Sequence, residues 1–167
     1  DEPLSGLDAR VRLDLRYALR RVVKDLGLTA VHVTHDQEEA MSISDRLVIM
    51  KAGQVVEVGT PLELYLSPNR LFTANFLGET NIIPAKVEEC DQVRVTVSAN
   101  GWRVDSQGSG FTKGQNVVLT VRPESAILTP GQRGDEEWTG TVREHVLLGD
   151  CIRTEVDLDN GLHVITQ

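Results

Sequence analysis

Asp1 and Glu2 stand side by side in the run D-E-P-L-S-G-L-D-A, and His35 stands between Thr34 and Asp36 further along. These residue types suit phosphate chemistry. A carboxylate at a strand's end can hold Mg²⁺, a hard cation that keeps several of its waters. A second carboxylate beside it points elsewhere and can polarise a water for attack on a phosphate. A neutral imidazole can accept from a water and donate to an oxyanion. Each has a plainer alternative. An acidic pair on its own is most often solvated, and a lone histidine at a helix start is most often a surface residue. His32, two residues before Thr34, reads as structural.

The elements that must position these groups follow from pattern. Residues 10–26 carry Val11, Leu15, Leu19, Val22, Val23 and Leu26 at helical spacing, with Asp8 as N-cap and Gly27 as the stop. Residues 28–35 are β-branched and compact, which predicts a buried strand delivering His35. Asp36 is placed to cap the next helix, whose first turn holds Gln37, Glu38 and Glu39. A strand, the turn Ala52-Gly53 and a second strand come next. Thr60 to Glu63 reads T-P-L-E, a capping box with proline at the first helical position, and a further helix is predicted over residues 69–77.

After Gly78 the texture changes to strands, predicted over residues 82–88, 93–97, 102–104, 116–122, 125–128, 138–148, 152–158 and 162–165. Asn100-Gly101 and Asn160-Gly161 are hairpin signals. Many short strands predict a small OB-type barrel, with Val117, Leu119, Val121, Val142, Val146 and Leu148 in its core. Arg122 has an acid close by in Glu124, so an ion pair is expected there before an anion site.

In order, DEPLSGLDA and VHVTHDQEEAMSISDRLVIMKAGQVVEVGTPLELY resemble the second half of an ABC transporter ATP-binding subunit, of the importer type with a C-terminal TOBE domain. GETNIIPAKV, VVLTVRPESAIL and TGTVREHVLLGD resemble that TOBE region more loosely. The resemblance implies an α/β remnant of a P-loop ATPase domain over residues 1–78, then an all-β OB-like (TOBE) barrel over residues 79–167. It implies ATP and Mg²⁺ as cofactors of the intact subunit. Asp1 matches the end of the Walker B motif and implies the metal contact. Glu2 matches the catalytic glutamate. Ser5 and Asp8 fall in the D-loop, which in the family crosses a dimer interface. His35 matches the histidine that contacts the γ-phosphate, so it is both a catalytic and a nucleotide-binding candidate. Implied partners are a second copy of the subunit and transmembrane permease subunits, at the inner face of the cell membrane.

The departures carry as much weight. G-x-x-x-x-G-K-[ST], the Q-loop glutamine and LSGGQ are absent from the sequence, so the phosphate cradle and its lysine are missing. The expectation is a piece of a longer chain that does not hydrolyse ATP alone. A different class stays open: a non-catalytic dimerisation or regulatory module whose barrel senses a ligand. An α/β hydrolase is disfavoured, because no G-x-S-x-G occurs.

Composition bounds the rest. The 167 residues carry a formal charge of −8, most of it after Gly78, which argues against nucleic acid as a partner. No apolar run approaches the length of a membrane span. Two cysteines, far apart and in no C-x-x-C motif, suit reduced thiols in a cytosolic setting. The solute is expected to be a polyamine, ferric iron or a sugar-like molecule.

Overall fold

The computed structural model describes residues 6–129, 131 and 138–167. The chain forms two compact units, the first ending at Gly78 and the second beginning at Glu79.

Helix α1 (Ala9–Asp25) opens the described part of the first unit. Its N-cap is Asp8, whose carboxylate accepts from the backbone N–H groups of Arg10 and Val11. Gly27 adopts φ of 62°, the left-handed conformation that ends such a helix. Helix α2 (Gln37–Ile43) starts at Asp36, whose side chain takes the Glu39 N–H. Strands β1 (Leu47–Lys51) and β2 (Gln54–Gly59) pair antiparallel around Ala52-Gly53. Both turn residues have positive φ, 50° and 76°, as a two-residue hairpin requires. Helix α3 (Pro61–Leu66) begins with a complete capping box, Thr60 and Glu63 each satisfying the other's backbone N–H. Helix α4 (Leu71–Phe76) starts two residues later than expected. Asn69 caps nothing; its backbone and side-chain nitrogens both donate to Glu57 of β2, which ties the loop to the hairpin. Leu47, Ile49, Leu64 and Leu77 are buried at the centre of this unit, with Met41, Phe72 and Phe76 around them.

One expectation for this unit is overturned. Residues 28–35 form no strand: they are irregular, and Val31 is 92 % exposed. A β-branched sequence becomes a strand only where a neighbour completes its ladder, and none of the described residues does so. The apolar stripe of α1 is also uncovered, with Val11, Leu15, Leu19, Val22 and Leu26 all exposed.

The second unit holds β3 (Asn81–Cys90), β4 (Arg94–Ala99), β5 (Trp102–Gln107), β6 (Asn116–Val121), β7 (Gly140–Leu147), β8 (Ile152–Leu158) and β9 (His163–Thr166). Its ladders are antiparallel, in a four-stranded sheet of order β5-β4-β3-β6 and a three-stranded sheet β7-β8-β9. Period-two alternation points Ile83, Ala85 and Val87 of β3 and Val95, Val97 and Ala99 of β4 into one core. Val156, Leu158 and Val164 of the three-stranded sheet enter the same core. Pro84 is tolerated inside β3 because residues 81–85 pair on the β6 side only, so a donor missing on the other side breaks no ladder.

The expected OB-like barrel is corrected accordingly. Among the described residues the two sheets face each other across a core, and no ladder joins them into a closed barrel. Residues 125–128 are not a strand either. Pro123 opens a single 3₁₀ turn, Pro123–Ser125, and Ile127 beyond it is 90 % exposed. Val142 and Leu148, expected in the core, are exposed.

Asn81 is the polar clamp of this unit. It is 6 % exposed and makes three bonds. Its amide donates to the carbonyls of Val121 (3.1 Å) and Ile165 (2.8 Å), and its Oδ1 accepts the Ile165 N–H (2.7 Å). One side chain thus links β3, β6 and β9. Asn81→Ala strands those groups and is expected to destabilise the second unit by about 3 kcal/mol. Urea unfolding followed by tryptophan fluorescence reads this unit alone, since both tryptophans, Trp102 and Trp138, lie in it with ring centroids 5.0 Å apart. A loss below about 1 kcal/mol would contradict the clamp.

Candidate functional site

The sequence that carries His35 folds as a tight polar turn at the start of α2. Asp36 caps that helix through Oδ1, 2.9 Å from the Glu39 nitrogen. Its other oxygen, Oδ2, receives the Arg16 guanidinium at 2.6 Å and lies 3.5 Å from that of Arg12. Arg16 also reaches Glu38 at 3.3 Å, and Arg12 donates to the Leu7 carbonyl at 2.9 Å. The Nε atoms of both arginines are buried and meet no hydrogen-bond partner among the described residues. Burial works to raise the pKa of Asp36, but the Glu39 N–H and the charges of Arg16 and Arg12 outweigh it, and the carboxyl titrates below its ordinary range.

Where α1 meets the start of α2 there is an open cleft of about 470 Å³, lined by Arg12, Leu13, Arg16, His35, Asp36, Gln37 and Glu38. His35 is exposed at its rim. An exposed imidazole beside an open polar cleft can exchange protons with water or donate to an anion held there.

The candidates named from sequence divide as follows. Asp1, Glu2 and Ser5 lie outside the described residues. Asp8 is engaged as the α1 cap and is not part of the cleft lining. His35 lines the cleft. Among the described residues no group of His, Cys, Asp and Glu is arranged to hold a metal ion, so the Mg²⁺ expectation rests on Asp1. Arg122 is buried, and one of its terminal nitrogens donates to the Glu79 carbonyl at 3.1 Å.

Sequence reasoning missed two features. One is a basic stripe on α1: Arg12, Arg16, Arg20 and Lys24, four residues apart, all on the face toward α2. Arg20 donates to the Ile43 carbonyl at 2.7 Å and Lys24 pairs with Asp45 at 2.7 Å. The regular spacing was the available signal. The other is Glu39, a carboxylate whose side chain is only 3 % exposed, bonded to His32 Nε2 at 2.5 Å and to the Thr34 hydroxyl at 3.1 Å.

No family model matches the chain. Among curated proteins, an Fe(3+) ions import ATP-binding protein of Rhizobium etli is 42 % identical over 163 residues, covering 96 % of this chain and 45 % of the relative. A spermidine/putrescine import ATP-binding protein of Thermotoga maritima is 39 % identical over 168 residues, with the same coverage of both. The chain is a homologue of ABC importer ATP-binding subunits. A spermidine/putrescine import protein of Mesorhizobium japonicum, 37 % identical, covers the same share of the chain. The chain spans about half the length of these ABC subunits. No helix among the described residues is long and apolar enough to cross a membrane.

The charge geometry gives a sign for pH dependence. A carboxyl held below its ordinary range stabilises the fold above that range and ceases to do so as pH falls through its folded value. The first unit should therefore lose stability in acid, and Asp36→Asn should flatten that loss. Asparagine keeps the cap but abandons Arg16, so at neutral pH the variant should be about 2 kcal/mol less stable. Urea unfolding followed by helical circular dichroism checks both, because α1 to α4 all lie in this unit. An acid slope identical to that of the unsubstituted chain would refute the assignment.

Proposed function

We propose that this chain is part of the energy-coupling subunit of an importer, where it supplies half of the chemistry for ATP hydrolysis. The observation that carries the reading is His35 at the rim of a polar cleft, in a sequence context shared across 96 % of the chain with import ATP-binding proteins. In the intact subunit Asp1 would hold Mg²⁺, which supplies charge neutralisation at the transferring phosphate. Glu2 polarises the attacking water and His35 donates to the γ-phosphate oxygens. Ser5 and Asp8 belong to the segment that faces a second copy of the subunit, and the assembled pair drives transmembrane permease subunits from the cytoplasmic side of the membrane. The solute is a polyamine, ferric iron or a sugar-like molecule. The relatives' own names, iron import and spermidine/putrescine import proteins, favour the first two.

Phosphoryl transfer depends on positioning and electrostatics. The 167 residues contain no G-x-x-x-x-G-K-[ST] cradle, so this stretch alone binds ATP weakly and does not turn it over. In the intact subunit assembled with its permease, Glu2→Gln and His35→Ala each lower ATP turnover by roughly a hundredfold or more while ATP binding persists. Steady-state hydrolysis with equilibrium binding of a non-hydrolysable analogue tests this. Turnover by the 167-residue chain, or full activity of Glu2→Gln, would overturn it.

A further inference from the structure

The buried carboxylate of Glu39 has no part in the chemistry just described, yet its bonds close on both sides of His35. Its Oε2 accepts the Thr34 hydroxyl at 3.1 Å, and that hydroxyl oxygen accepts the Asp36 N–H at 3.0 Å. Asp36 in turn accepts the Glu39 N–H at 2.9 Å. The ring of bonds runs from Glu39 to Thr34 to Asp36 and back to Glu39. His35 lies between Thr34 and Asp36, so both its neighbours in sequence are pinned. The other oxygen, Oε1, accepts from His32 Nε2 at 2.5 Å and anchors the segment three residues earlier. Residues 28–35 have no strand ladder to hold them. A buried charge is costly unless its bonds are made, so a carboxylate with a side chain only 3 % exposed holds its partners firmly.

We propose that Glu39 is the positioning residue of His35: by binding Thr34 and His32 it fixes the irregular segment to α2 and holds the imidazole at the cleft. The inference rests on the reading of His35 as a γ-phosphate contact, but its structural half stands separately. Glutamine keeps an acceptor for the Thr34 hydroxyl and adds a donor for a neutral His32, so Glu39→Gln preserves the anchor. Glu39→Ala removes it.

The test has two arms. In the 167-residue chain, NMR of the His35 ring and of the backbone amides of residues 32–36 should show Glu39→Ala shifted and broadened, and Glu39→Gln near the unsubstituted spectrum. Helical circular dichroism should be unchanged in both. Should Glu39→Ala melt α2, Thr34→Val, which breaks the same ring, carries this arm and should disorder His35 with helix content intact. In the intact subunit assembled with its permease, Glu39→Ala should lower kcat for ATP about tenfold or more at unchanged KM, with Glu39→Gln restoring most of it. Unaltered His35 signals in both Glu39→Ala and Thr34→Val overturn the proposal. So does a Glu39→Gln defect equal to that of Glu39→Ala. An unsubstituted intact subunit that does not hydrolyse ATP would sink the functional reading, while the spectra still decide the positioning claim.

Discussion

The first unit depends on one carboxylate serving two elements. Asp36 begins α2 with one oxygen and receives Arg16 of α1 with the other. The start of one helix and the placement of the other are therefore a single constraint. Magnitude separates this pair from its neighbours. The Arg16 side chain is 7 % exposed, whereas Lys24 and Asp45 are 52 % and 61 % exposed. Exposed pairs are worth about 0–1 kcal/mol, and shielded charge-assisted bonds about 1.5–3 kcal/mol. The Arg16 to Asp36 bond is the most shielded of the ion pairs that join α1 to the start of α2, and the apolar stripe of α1 lies on the exposed side.

The second unit solves a different problem. Its core is small and aliphatic, drawn from the alternating faces of β3, β4, β8 and β9. Two facing sheets leave polar backbone groups at their ends, and Asn81 satisfies three of them at the point where β3, β6 and β9 converge. A charged network covers the outer face of β8: Arg153 bonds Glu79 and Glu155, and Asp157 takes Arg143 and His163. The two bonds keep the Arg153 guanidinium firmly protonated. Most of these groups are exposed enough that they organise the surface more than they stabilise it.

What was legible in the sequence was local. Asp8, Asp36 and the Thr60 to Glu63 box act within four residues of themselves, and each forms as its residue type demands. The hairpin turns at Ala52-Gly53 and Asn100-Gly101 were readable for the same reason, since both residues of each adopt positive φ. What failed was partnership at a distance. Residues 28–35 have strand composition but no ladder. The apolar periodicity of α1 marks a face that is not covered, while the basic periodicity beside it marks the face that makes contact. Closure of a barrel is a property of which strand ends meet, and no turn signal encodes it. Glu39 sat inside a run read only as helix-start polarity; its burial follows from His32 and Thr34 folding back over it.

The claim that Asp36 joins the two helices and so holds the His35 turn is tested most directly by a double-mutant cycle of Arg16→Met and Asp36→Asn. Stability is read from helical circular dichroism in urea at neutral pH. The account predicts a coupling energy of about 1.5 kcal/mol or more between the two sites. A coupling below about 0.5 kcal/mol would mean that the two substitutions act independently, and that α1 is held by something else.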